Sequence, residues 1–198
     1  MRLKRLLDIG LALLLGLSFL PVLAITALLV FASLGRPILF KQVRAGINGR
    51  EFTLLKWRSM TDARDARGEL LPDPDRMTLV GRLIRRIRID ELPSIINILR
   101  GDLSFVGPRP LPSGNPINLA YNGARLACRP GLTGLAQVSG NTLLSDREKL
   151  AVDLHYIRTC TIRNDIAIVW RTVLTVIRGE RRDEALIQQA VRDMENIS

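Results

Sequence analysis

The stretch Arg85–Pro110, RRIRIDELPSIINILRGDLSFVGPRP, gathers the residue types that could work on an anionic substrate. Asp90 and Glu91 are adjacent carboxylates. Arg82, Arg85, Arg86 and Arg88 precede them, and Arg100 and Arg109 follow. Leu92, Ile95, Ile96 and Leu99 recur at helical spacing, and Gly101 supplies a stop. A short helix is therefore predicted, with Asp90 as N-cap, Glu91 as first helical residue and Pro93 in the first turn, where its missing N–H costs nothing. Both carboxylates would then lie at the positive end of a helix dipole, which favours their ionised forms and helps hold an anion nearby. Capping by itself accounts for such a pair in most proteins. The flanking arginines and the rigid Gly107-Pro108-Arg109-Pro110 turn add the second reading, carboxylates and guanidinium groups fixed around one site.

The elements that must position this stretch belong to a chain of 198 residues, enough for one core domain plus an appendage. Net charge is +10, so the surface will seek nucleic acid, a phosphorylated substrate or acidic lipid. Aromatic residues make up only 5% of the chain, and no zinc-finger spacing occurs, which leaves no stacking platform for bases and argues against a nucleic-acid partner. Cys128 and Cys160 have no metal-ligand spacing around them and read as free thiols. The single histidine, His155, reads as structural, so a Ser-His-Asp mechanism has little support.

The N-terminus opens with Arg2, Lys4 and Arg5 and is then uncharged from Ile9 to Gly35. As one helix that run is about 40 Å long, enough to cross a hydrocarbon core of roughly 30 Å. It fits a single-pass anchor. It also fits a re-entrant hairpin over residues 1–36, bent near Pro21, with two arms of about 18–20 Å that are each too short to cross. Basic residues on both flanks (Arg36, Lys41 and Arg44 follow) favour keeping both ends on the cytoplasmic side. Ser18 and Thr26 offer hydroxyls to backbone groups freed at such a bend.

Further along, Pro37–Gln42 and Glu51–Trp57 read as strands of a hairpin turning at Gly46–Gly49. Lys56 and Arg58 are candidates to meet phosphate there. Residues 62–75 read as a surface connection. Arg76–Arg88 reads as an amphipathic helix with Leu79, Val80, Leu83, Ile84 and Ile87 inward. Residues 111–117 are loop-like, and Arg129 lies in the glycine-punctuated run from Cys128 to Gly140, where a packed turn is the plainer reading. Ser145 and Glu148 form a capping box for a helix to about Thr159, and Asn164 or Asp165 is expected to cap the next. The apolar stripe Ile166, Val169, Trp170, Val173, Leu174 and Ile177 reads as core, or else as a membrane-surface face. The expected fold is α+β and mainly helical: the membrane helix-break-helix, a small cytosolic domain over 37–180 with a short β-hairpin and amphipathic interface helices, and an exposed tail over 181–198 that reads as a short helix.

Three blocks carry a resemblance: FKQVRAGINGREFTLLKWRSM, the RIDELPSIINILRGDLSFVGPRP segment and RPGLTGLAQVSG. Together they resemble the small monotopic phosphoglycosyl transferases among the bacterial sugar transferases, from Lys4 to about Gly179. Local departures are Trp57 where phenylalanine is usual, Leu20 before Pro21 where serine is common, and Asn141 directly after Gly140 where Arg-Asn is usual. The resemblance implies transfer of a sugar phosphate from a UDP-sugar to a polyprenol phosphate such as undecaprenyl phosphate, releasing UMP. It implies Asp90 as the nucleophile forming an aspartyl phosphosugar, although spacing leaves Asp90 and Glu91 equivalent. It further implies Glu91 in a catalytic role, Mg2+ held by Asp90 and Glu91, and phosphate-binding roles for Arg88, Arg109, Arg129 and Lys56. Expected partners are the UDP-sugar, the lipid phosphate, membrane phospholipids at the cytoplasmic face of a bacterial inner membrane, and downstream glycosyltransferases. The rival readings are a non-catalytic basic membrane adaptor and a membrane-tethered nucleic-acid-binding protein.

Overall fold

The computed structural model describes residues 2–196. Two helices open the chain, α1 (Arg2–Ser18) and α2 (Leu20–Leu34). They are followed by strands β1 (Leu39–Ala45) and β2 (Glu51–Trp57) and by the short helices α3 (Asp73–Arg76), α4 (Leu79–Arg86) and α5 (Ile95–Arg100). Next come β3 (Ser104–Val106), a single turn α6 (Ala120–Gly123), β4 (Gly131–Thr133) and α7 (Leu135–Val138). Three longer helices close the fold, α8 (Asp146–Thr159), α9 (Ile162–Arg178) and α10 (Glu184–Glu195). The mainly helical α+β expectation holds.

No single helix among the described residues is long and apolar enough to cross a membrane, but α1 and α2 together are, with a 63° bend between them. The bend sits at Phe19, and Pro21 falls in the first turn of α2, where its lack of an N–H is tolerated. Thr26 donates to the Val22 carbonyl at 2.7 Å, as a helical hydroxyl bonding back one turn. Ser18 makes no hydrogen bond among the described residues, so its expected service to the bend is not seen.

Both ends of the bent pair are fastened to the same domain. At the start of α1, Lys4 donates to the Val106 carbonyl and to Tyr156 Oη, each at 2.9 Å, and pairs with Asp165 at 2.5 Å. The Asp8 carboxylate accepts from the Phe105 amide. At the end of α2, Val30 is fully buried against Trp57 and Ile84, and Arg58 donates to the Leu34 carbonyl. Around the bend, by contrast, Leu13, Leu14, Leu17, Leu20 and Leu28 are at least half exposed.

The hairpin forms as expected, with β1 running to Ala45 and pairing Leu39 with Trp57 and Ala45 with Glu51. The outer edge of β2 is closed by side chains rather than by a third strand. Buried Asn97 accepts from Leu55 N and donates to Thr53 O, and buried Ser94 donates to Leu55 O at 2.7 Å. An edge strand's unpaired backbone groups are thus satisfied by the segment that carries the carboxylates. β3 and β4 form a small parallel pair that alternation did not reveal. The glycines of the RPGLTG run serve backbone contact: a Cβ on Gly131 would lie 2.1 Å from Gly107 N, and one on Gly134 would lie 2.2 Å from Gly107 O. The packed-turn reading is therefore correct.

Several packing expectations are overturned. In α4 only Ile84 of the predicted inward residues is buried, while Leu79, Leu83 and Ile87 face outward. In α5 the buried side chains are Ile95, Asn97 and Ile98, and Ile96 and Leu99 are exposed. The stripe on α9 is not core either, because Ile166, Trp170 and Ile177 are all more than 60% exposed and Ile168 is the buried residue. Thr161, not Asn164 or Asp165, caps α9 by accepting from the Asn164 amide. The capping box at Ser145 is present. The tail forms the expected helix but not an exposed one: α10 is amphipathic, buries Ile187, Ala190 and Met194 against α8 and bonds Asp193 to His155 at 2.9 Å.

Candidate active site

The segment joining α4 to α5 is not the capped helix start that the apolar spacing predicts. Arg88 adopts a left-handed backbone (φ 60°), and residues Ile89–Ser94 form a 3-10 turn before α5 begins. Asp90 and Glu91 lie inside that turn, and neither caps a helix. Pro93 lies inside the turn, and the chain takes α geometry only from Ile95. A non-glycine residue held at positive φ is sustained by its surroundings, and such positions concentrate at functional sites.

The turn is positioned by the β2 edge. Ser94 and Asn97 lock it to Thr53 and Leu55, which brings Glu91 against Lys56 of the same strand at 2.5 Å. Arg109 approaches the same carboxylate at 3.7 Å. Burial raises the Glu91 carboxyl, but Lys56 and Arg109 outweigh it and leave it below its ordinary value, so Glu91 stays ionised. Asp90 differs. It makes no hydrogen bond or ion pair among the described residues, and burial, followed by the Glu91 charge beside it, raises its carboxyl despite Lys56, Arg85 and Arg88. The two neighbours thus divide into a fixed, paired anion and an unpartnered carboxylate facing the cleft.

That cleft, about 480 Å3, is bounded by Lys56, Arg44, Arg58, Arg85, Arg88 and Arg109 around the two carboxylates. Arg88 and Arg109 also border a second chamber of about 460 Å3 on the α7–α8 side. Arg44 was not singled out from the sequence as a site residue. It donates to the Pro110 carbonyl at 3.3 Å, while burial and the neighbouring Arg109 lower its guanidinium below the usual value. Two guanidinium groups side by side at a cleft wall favour an anion between them.

Arg109 itself is set by a buried pair that spacing alone did not place there. Arg125 and Asp153, each 4% exposed, meet at 2.7 Å, and Arg125 also donates to the Arg109 carbonyl. Asp153 and Tyr156 serve structural hydrogen bonds: Asp153 accepts from Arg125, and Tyr156 donates to Asp165 at 2.8 Å. Arg129 does not line the cleft. Its Nε donates to the Gly101 carbonyl at 2.9 Å, where with Arg5 it satisfies the C-terminal carbonyls of α5. Of the predicted site residues, Asp90, Glu91, Lys56, Arg88 and Arg109 come together and Arg129 stands apart.

No group of three or more His, Cys, Asp or Glu side chains able to hold a metal occurs among the described residues. The pair still suits magnesium, which is commonly bound by one or two carboxylates and completed by substrate phosphates. Asp90 has full acceptor capacity for it, and Glu91 retains one oxygen not taken by Lys56.

The wall of arginines around an unpartnered carboxylate has the charge complementary to a phosphorylated group. The chain belongs to the bacterial sugar transferase family, which matches residues 1–179. It is 42% identical over 181 residues to the uncharacterized sugar transferase EpsL of Bacillus subtilis, covering 91% of this chain and 90% of that one. It is 40% identical to the UDP-glucose:undecaprenyl-phosphate glucose-1-phosphate transferase of Caulobacter vibrioides, over 88% of this chain and 69% of that one. It is 36% identical to the UDP-N-acetylgalactosamine-undecaprenyl-phosphate N-acetylgalactosaminephosphotransferase of Aeromonas hydrophila, over 89% of this chain but 44% of that longer one.

Proposed function

We propose that this protein transfers a sugar-1-phosphate from a UDP-sugar to undecaprenyl phosphate at the cytoplasmic face of a bacterial inner membrane, giving undecaprenyl diphosphosugar and UMP. The observation that carries this reading is Asp90, ionisable and without a partner in a cleft whose walls are cationic. In the first step an Asp90 carboxylate oxygen attacks the sugar-bearing phosphorus. The bond from that phosphorus to the bridging oxygen breaks, and UMP leaves with that oxygen's electron pair. In the second step a phosphate oxygen of the lipid attacks the same phosphorus, the bond to Asp90 breaks, and the carboxylate is restored. Lys56, Arg88 and Arg109 hold the phosphoryl oxygens in line and stabilise their charge, and Glu91 keeps Lys56 and Arg109 in place. Magnesium, held by Asp90 and Glu91, would supply further neutralisation of phosphate charge when bound.

The reading is tested by UMP release from purified protein with undecaprenyl phosphate and a panel of UDP-sugars. UMP should appear with at least one donor and only when the lipid phosphate is present for multiple turnover. With donor alone, intact mass should rise by one sugar phosphate on the peptide that contains Asp90. Absence of UMP across the panel from folded protein would count against the enzyme and for the basic adaptor.

The re-entrant reading is supported by the attachment of both ends of α1–α2 to one domain, Lys4 to Tyr156 and Asp165 at one end and Arg58 to the Leu34 carbonyl at the other. A span would have to separate them. Cysteines placed at Arg2 and Arg36 should both react from the cytoplasmic side with a membrane-impermeant thiol reagent in a background lacking Cys128 and Cys160. Labelling from opposite sides would establish a span instead.

A further inference from the structure

We propose that the second chamber, on the α7–α8 side of Arg88 and Arg109, seats the sugar of the donor, and that Glu180 is the residue that reads it. The inference rests on the function proposed above. Arg88 and Arg109 border both chambers, so a phosphate between them must send its sugar into one and its pyrophosphate link into the other. The chamber containing Asp90 is walled by guanidinium groups suited to phosphates. The second also holds charged groups, Arg125 with Asp153 and Lys149 with Asp146, but adds Asn115, Gln137, Asn141, Thr142 and Glu180, amides, a hydroxyl and a carboxylate that match the hydroxyls of a sugar.

Two observations mark this chamber as a recognition site. Gln137 lines the chamber and donates to the Leu132 carbonyl, while its buried Oε1 has no partner among the described residues. Glu180 is held rigidly over the opening: Asn141 Nδ2 donates to its Oε1 at 2.5 Å, and the Thr142 amide donates to its Oε2 at 3.2 Å. Its Oε1 lies 4.0 Å from Arg88, next to where the sugar-bearing phosphate would sit. The linker that carries it is fastened just beyond it, by Asp183 N to the Ser139 carbonyl and by Arg182 to Glu148 at 2.6 Å. Glu180 is also one residue beyond the segment shared with the family.

The experiment ranks UDP-sugars by kcat/KM for the wild type, Glu180→Gln and Gln137→Met, with UMP product inhibition and Tm measured alongside. Gln137→Met changes the opposite wall without touching the linker. Each variant should lose about 10–100-fold on the preferred donor, because a site that loses a buried hydrogen bond to a substrate group discriminates less. Poorer donors should fall less, so the ranking compresses, while inhibition by UMP, which lacks the sugar, stays within about twofold. A uniform loss across donors with the ranking intact, or weakened UMP inhibition in parallel, overturns the inference while leaving the transferase standing. A wild type inactive with every donor removes both.

Discussion

Asp90→Asn should abolish UMP release without loss of stability. Losing the nucleophile is expected to lower kcat at least about 10³-fold, about 4 kcal/mol in activation free energy. The stability half of the prediction follows from the raised carboxyl. Burial and the Glu91 charge lift it above its ordinary value of 3.8. The folded state therefore binds the proton more tightly than the unfolded chain does. Stability from that difference is present at low pH and is lost as pH rises through the folded-state value. At neutral pH the ionised Asp90 is a net burden on the fold, and asparagine relieves it. Thermal unfolding in magnesium-free buffer at pH 7.5 should place the variant's Tm at or above the wild type, with the gap closing towards acid. A variant that turns over normally would remove Asp90 from the chemistry. A variant that melts clearly lower would assign it a structural role.

Arg125→Met should be the most destabilising single change near the cleft. It strands the Asp153 carboxylate, 4% exposed, without its cation, and breaking a buried pair from one side costs about 3–5 kcal/mol. For a chain of this size that lowers Tm by roughly 6–20 °C. Adding Asp153→Leu removes the stranded charge and should recover most of the stability, since apolar replacement of a buried ion pair is often neutral. Activity should not recover with it, because the Arg109 carbonyl still lacks the guanidinium that fixes the Pro-Arg-Pro turn. Arg125 is thus a positioning residue acting through Arg109. Urea unfolding and kcat/KM on the same two proteins separate the roles. Joint recovery of stability and turnover in the double variant would reduce Arg125 to a packing element.

Both predictions concern one cleft, yet they were unequally visible in the sequence. The adjacency of Asp90 and Glu91, the arginines around them and the Gly-Pro-Arg-Pro turn can be read from order alone, and so can the hairpin that presents Lys56. These features are local: their residue types and spacing hold wherever the segment is placed. The capping box at Ser145 is local for the same reason, and its reciprocal bonds are present.

What the tertiary structure decided is which groups meet and what each neighbour's charge becomes. Asp90 and Glu91 are equivalent in sequence and opposite in the fold, because Lys56 and Arg109 arrive from other elements and form their ion pairs with Glu91. Asn97 looks like a polar interruption in an apolar helix until it is seen closing the β2 edge. Arg129 looks like a phosphate ligand until the C-terminus of α5 claims it. The outward faces of α4 and α9 show the same limit, since apolar periodicity predicts that a helix has two faces and is silent on which solvent the apolar one meets. The sequence by itself determined the chemistry available to this protein, because that depends on residue types and short spacings. Long-range contacts decided which arginines line the cleft and which serve the fold, and brought Glu180 from beyond the family segment to the rim of the second chamber.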